Sequence, residues 1–239
     1  MARPYIVLNG IHSNEIEGLI VSTLPPISKP EIRVNKEEID GVDGDIVTVL
    51  GYSAYDKEFE IGLSYNYDID EVIEYFNSSG TVTFSNEEHK YYNYQIFDQI
   101  DFEKLVNFKT AKVKMHVQPF KYSVLESEKT FNFNSTSGAF DIRNNGNIYS
   151  RPILKITGSG TINISINGVQ LLVIYLDDTA QTVVIDANTM NAYNPENNAY
   201  MNRNVAGDYD KIQLNSGKNS ISFTGNVTEI KIDNYSRWI

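Results

Sequence analysis

The sequence predicts a mainly β chain with a little α: a mixed α+β domain over residues 1–128, then an antiparallel β-sandwich over residues 129–239. Three observations carry this. Short runs of alternating apolar and polar residues recur along the whole chain, the period of half-buried strands. One segment alone, 68–76, has clear helical periodicity. The texture then changes near Lys129, with 8 asparagines in residues 1–130 against 18 in residues 131–239.

In the first half, Glu58-Phe59-Glu60-Ile61-Gly62-Leu63 alternates, as does Thr81-Val82-Thr83-Phe84. Between them Asp68 stands as an N-cap with Glu71 three residues on, the spacing of a capping box. Ile69, Val72, Ile73 and Phe76 fall at i, i+3, i+4 and i+7, one apolar stripe for a sheet to cover, and Ser78-Ser79-Gly80 supplies the stop. Tyr91-Tyr92-Asn93-Tyr94 and a run ending Val117-Gln118-Pro119-Phe120-Lys121-Tyr122 read as further strands.

In the second half, Thr161–Ile166, Thr182–Ile185, Ser220–Phe223 and Glu229–Ile232 alternate with period 2. Asn167-Gly168 takes the positive φ angles of a type I′ turn and predicts a hairpin. Gly158-Ser159-Gly160 reads as a hairpin-like turn between strands. Residues 188–210 have little apolar periodicity and predict a hairpin with a long polar loop, of the kind that is functional or mobile.

Composition limits the function. Hydrophobic residues at 41% and charged residues at 21% suit an ordinary globular chain. The absence of cysteine removes disulfides, thiolate metal sites and cysteine nucleophiles. Net charge is −11, and residues 1–130 carry −10 of it, from 12 Lys+Arg against 22 Asp+Glu. Nucleic-acid affinity needs basic surface, so an acidic first half argues against specific nucleic-acid binding. No apolar run is long enough to insert in a membrane, and the start Met1-Ala2-Arg3-Pro4-Tyr5 lacks the features of a signal peptide.

Motifs for catalysis are missing. His12, His89 and His116 have no partner at metal-ligand spacing. Gly51-Tyr52-Ser53-Ala54-Tyr55 lacks the closing glycine of a nucleophile elbow, and no glycine run leads into a phosphate-binding Lys-Ser/Thr. Asp43/Asp45, Asp68/Asp70, Asp177/Asp178 and Asp208/Asp210 do not extend into a calcium loop. The sequence thus assigns no catalytic, cofactor-binding or metal residue, and no cofactor. The expectation is a protein that is not an enzyme. Sixteen tyrosines and eleven phenylalanines lean as a group toward assembly, though no interface residue is assigned.

The order of motifs adds a resemblance. Pro25-Pro26, the Asp40-Gly41-Val42-Asp43-Gly44 turn, the helix ending Ser-Ser-Gly, Tyr91-Tyr92, Ile100-Asp101-Phe102 and Pro119-Phe120-Lys121-Tyr122 resemble the distal tail protein (Dit) family of long-tailed phages infecting Gram-positive bacteria. Tyr149-Ser150-Arg151-Pro152, Gly217-Lys218-Asn219 and Arg237-Trp238 extend the resemblance through the second half. It implies an N-terminal belt domain, a β-sandwich with one helix, and a C-terminal galectin-like β-sandwich. It further implies a homo-hexameric ring at the tail tip or baseplate of the virion, made in the host cytoplasm. That ring joins the tail tube protein to the tail-associated lysin or fibre and to receptor-binding or other baseplate proteins. Where relatives often carry a cysteine before the Pro-Phe motif this chain has Val117, which fills a small buried space. On this reading Glu37, Glu38, Asp43 and Asp45 are expected to line a channel that DNA passes without binding. The competing reading is a lectin-like module for host-surface glycans. Against it, the second half has no histidine and its one tryptophan is the penultimate residue, Trp238.

Overall fold

Asn9 and Gly10 hold φ angles of 51° and 86°, and this pair turns β1 (Ile6–Leu8) back on β2 (Ile11–His12). The structure, a computed structural model, describes residues 3–41, 43–233 and 236–239. Met1 and Ala2 of the start and Val42 of the acidic turn lie outside the described residues. The chain divides into two compact units, Met1–Val124 with Ile239, and Leu125–Trp238.

The first unit continues through β3 (Leu19–Val21), β4 (Ile32–Glu38), β5 (Asp45–Tyr52), β6 (Tyr55–Leu63), α1 (Ile69–Phe76), β7 (Gly80–Phe84), β8 (Lys90–Gln95), α2 (Phe102–Phe108) and β9 (Thr110–Ser123). Its main sheet is antiparallel, in the order β2-β1-β7-β8-β9-β6-β3. Alternation on β6, β8 and β9 sends Phe59, Tyr92 and Val113 inward, where Phe59, Phe84 and Tyr92 meet edge to face at 5.9 to 6.0 Å. Val117 is fully buried, as expected of a residue filling that position.

Asp68 caps α1, accepting from the Asp70 and Glu71 amides at 2.9 and 3.4 Å. The reciprocal half of the capping box is replaced: Glu71 accepts from the Glu17 amide at 3.3 Å instead. The apolar stripe is also rotated. Val72, Tyr75 and Phe76 are buried while Ile73 is exposed, because the Tyr75 hydroxyl finds the Ile6 and Ile11 carbonyls within 3.3 Å. A second helix, α2, joins the one expected. Asp101 caps it through the Lys104 amide at 2.8 Å, Leu105 is its buried residue, and Lys109 ends it at φ 58°.

The second unit holds β10 (Lys129–Asn132), β11 (Ser137–Asn144), β12 (Ile153–Ile166), β13 (Val169–Tyr175), β14 (Gln181–Asp186), β15 (Asn191–Tyr193), β16 (Val205–Gly207) and β17 (Gly217–Asp233). All its ladders are antiparallel. β12 pairs along its length with β17, while its other edge meets β14 first and β13 afterwards. β17 likewise takes β11 and then β10. Two long bent strands therefore serve both layers and enclose a core of Leu154, Ile162, Leu172, Ile185, Phe223 and their neighbours.

Three expectations change here. Gly158-Ser159-Gly160 lies inside β12 and is no turn: the register against β17 shifts at this point, and Gly160 at φ 66° absorbs the irregularity. Ser220–Phe223 and Glu229–Ile232 belong to one strand, β17, whose alternation is interrupted around Gly225 at φ 113°. Residues 188–210 form hydrogen-bonded structure instead of one long loop. β15 pairs with β14, Tyr193 bridges Tyr200, and β16 pairs with β13. The asparagines there serve turns: Asn194 accepts from the Glu196 amide and Asn197 from the Ala199 amide, at 2.8 and 2.9 Å. The Asn167-Gly168 turn is as expected, at φ 51° and 82°.

Candidate assembly surface

β4 and β5 form a two-stranded sheet of their own, separate from the main ladder of the first unit. Ile32, Val34 and Lys36 lie on one face opposite Tyr52, Val49 and Val47. Every residue of β4 is exposed, and Val49 and Leu50 are 63% and 60% exposed. An isolated two-stranded ribbon is marginal in water, and an exposed apolar stripe is a feature that protein contacts share. Its far end carries Glu37, Glu38, Asp43 and Asp45, all exposed, with Lys36 3.9 Å from Asp45. The four acids expected to act together therefore do share one place, the tip of this arm. The exposed apolar residues that the motifs left unassigned are Ile32, Val34, Val47 and Val49. The available signal was alternation on both sides of the Asp40–Gly44 turn.

The base of the arm is held by a buried charge cluster. Lys57 on β6 is 2% exposed and donates to the Pro26 carbonyl at 2.9 Å, with its ammonium 4.9 Å from the Tyr92 ring centre. Glu87 accepts from Tyr92 at 2.5 Å and from Lys121 at 2.9 Å. Asn86 donates to the Pro25 carbonyl at 3.1 Å, so the double proline is gripped from two sides. Burial pushes Lys57 down to about 8, against the pull of Glu87. Burial opposes ionisation of Glu87, but hydrogen bonds from Tyr92 and Lys121 outweigh it and hold its carboxyl below the usual range. Tyr52 meets Phe120 edge to face at 5.3 Å and the Ser53 amide donates to the Glu31 main-chain carbonyl at 2.9 Å, closing the base.

The residues weighed for catalysis are dispersed. His12 stacks on Tyr5 at 4.2 Å, and His89 lies 3.6 Å from Glu88. His116 bonds Asp56 at 2.9 Å on the outer face of β6 and β9, where His116 and then Lys114 hold the Asp56 carboxyl below its ordinary range. Asp68 is a helix cap, Asp177 accepts from Gln181, and Asp208 pairs with Lys211. Ser159 accepts from Asn226 at 2.7 Å. Among the described residues no three His, Asp or Glu side chains group as metal ligands, and no helix is long and apolar enough to cross a membrane.

On the second unit a shallow groove of about 370 Å³ is lined by Ser137, Asn163, Ser165, Gln170, Ser222 and Thr224. Its amides are engaged with neighbours: Asn163 donates to Thr224 at 3.0 Å and Gln170 to Asn163 at 3.3 Å. The aromatic ring beside it, Phe223, is buried, so it offers no platform for a sugar.

No family model matches this chain, and no curated protein matches it. Among solved structures, the Dit protein of phage SPP1 superposes with a TM-score of 0.66 at 18% identity, covering 97% of this chain and 99% of that one. The chain has the distal tail protein fold. SPP1 Dit is described as a paradigm of the hub adsorption apparatus in Gram-positive infecting phages. A chain of the phage P2 baseplate in its activated conformation with calcium gives 0.54 at 11% identity, over 97% of both chains. The strontium form gives the same score over 96% and 97%. The distal tail protein fold thus runs through both units of this chain.

Proposed function

We propose that this chain is an architectural hub of a phage tail tip or baseplate and carries no catalytic role. Residues 1–128 act as the ring-forming belt and residues 129–239 as the sandwich that holds further proteins. Six copies close a ring round a central channel, joining the tail tube protein to the tail-associated lysin or fibre and to receptor-binding or other baseplate proteins. The protein is made in the host cytoplasm and ends in the virion. The observation that carries this is likeness over 97% of the chain to a phage hub protein. The exposed apolar arm supports it, since such a stripe needs a neighbour to cover it.

The acidic arm tip gives the channel its character. Carboxylates at Glu37, Glu38, Asp43 and Asp45 repel passing DNA and keep it from lodging in the ring. Negative-stain imaging of the purified protein tests the ring; six-fold particles with a central hole are expected, and scattered single copies contradict it. Reversing the four acids to lysine tests the channel, with slowed DNA ejection expected and unchanged ejection counting against it.

A further inference from the structure

Beside α1 lies a groove of about 600 Å³ whose apolar floor includes Ile16 and Tyr75, with Ile11 49% exposed at its edge. Glu15, Glu71 and Glu74 rim it, and no lysine or arginine does. None of these glutamates takes part in an ion pair among the described residues. Glu15 and Glu71 accept from the His12 and Glu17 amides, so an apolar cleft rimmed by three carboxylates with no cationic partner suits an apolar side chain flanked by positive charge.

The same unit carries such a group. Lys104 and Phe108 stand four residues apart on α2 and so share a face, and Phe108 is 73% exposed. Groove and knob are distinct patches, since no residue of α2 lines the groove. Glu71, Glu74 and Tyr75 of α1 face the acidic groove, while Ile73 and Phe76 face a second groove with Ile100 and Phe102, where α2 begins. In the sheet, β1 and β2 beside the acidic groove stand at one end of the order, and β9 and β6 under α2 lie toward the other. Two different patches are what a head-to-tail ring requires, since a two-fold contact would use one patch twice.

We propose that this groove receives Phe108 and Lys104 of a second copy of the chain. This deepens the ring reading and rests on it. Phe108 fills the apolar floor, and Lys104 meets the glutamate rim.

The absence of cysteine makes the test clean. Glu74→Cys and Phe108→Cys are prepared as separate full-length chains, mixed and oxidised. A disulfide-linked dimer containing one of each is expected in the mixture, and a chain carrying both changes gives a ladder of linked copies. A control mixture replaces Phe108→Cys with Tyr65→Cys, a position 99% exposed. Rings that form without mixed dimers above that control overturn the groove contact alone. A sample that stays single in sedimentation overturns the ring reading, and this contact with it. In a second arm, Lys104→Glu raises the concentration for half-assembly about fivefold, and Lys104→Glu with Glu74→Lys restores it. Equal assembly by wild type, single and double variants also overturns the contact.

Discussion

Lys57 donates a 2.9 Å hydrogen bond to the Pro26 carbonyl from a site almost closed to solvent. It thereby ties β6 to the segment from which the β4–β5 arm departs. Lys57→Met keeps the packed stem and removes this donor, leaving the Pro26 carbonyl only the Ser28 hydroxyl at 3.4 Å, at a cost of about 0.5–1.5 kcal/mol. Faster amide exchange at Ile27, Ser28, Lys29 and Glu31 than in wild type, with the core of β9 unchanged, is the expected signature. Equal rates in variant and wild type argue against the anchor.

The same lysine sets a pH dependence. Unfolded, it keeps its proton up to the ordinary 10.5; folded, it releases it at about 8. Between these values the unfolded chain binds more protons, so this group makes stability rise with pH through that window. Above 10 the half-buried Tyr55 and the buried Tyr75, Tyr92 and Tyr94, all pushed up chiefly by burial, reverse the trend. Denaturant unfolding from pH 7 to 10 checks this against Lys57→Met, in which the rise is expected to be lost.

Glu87 and Lys121 form an ion pair at 2.9 Å whose side chains are 9% and 6% exposed. Glu87→Gln leaves Lys121 buried without its counter-charge and is expected to cost about 3–5 kcal/mol. Adding Lys121→Met removes the orphaned charge and recovers much of the loss. A double variant as unstable as the single one contradicts this account.

Gly158 lies where a Cβ would stand 2.3 Å from the Asn226 carbonyl oxygen, in the bent stretch of β12. Gly158→Ala forces β12 from β17 and is expected to destabilise the second unit by about 1–3 kcal/mol. Gly168→Ala has open space but φ 82°, so it isolates the backbone effect at about 1 kcal/mol. Thermal unfolding of both variants separates the two causes.

How far these features could be read from sequence depended on local signals. The Asp68 cap, the Asn167-Gly168 turn and the alternating strands follow from near neighbours, and the structure contains them. α2 has a start signal in Asp101, but it ends at Lys109 in the left-handed region without a glycine, so no stop marks it. Gly158-Ser159-Gly160 resembles a turn because a bulge and a turn draw on the same glycine conformations. The Lys57 cluster was hidden altogether: Pro26, Lys57, Glu87 and Lys121 come from four distant segments, and only the fold brings them together.

In the proposed ring, protomers meet partly through the apolar arm. The native mass of the purified wild type, measured beside Val49→Glu, tests it most directly. Val49 is exposed in the single copy, so the change is expected to leave unfolding stability within about 0.5 kcal/mol. Six copies are expected for wild type and smaller species for the variant. Wild type that remains a single copy at every concentration, or a variant that still closes six-membered rings as readily, contradicts it.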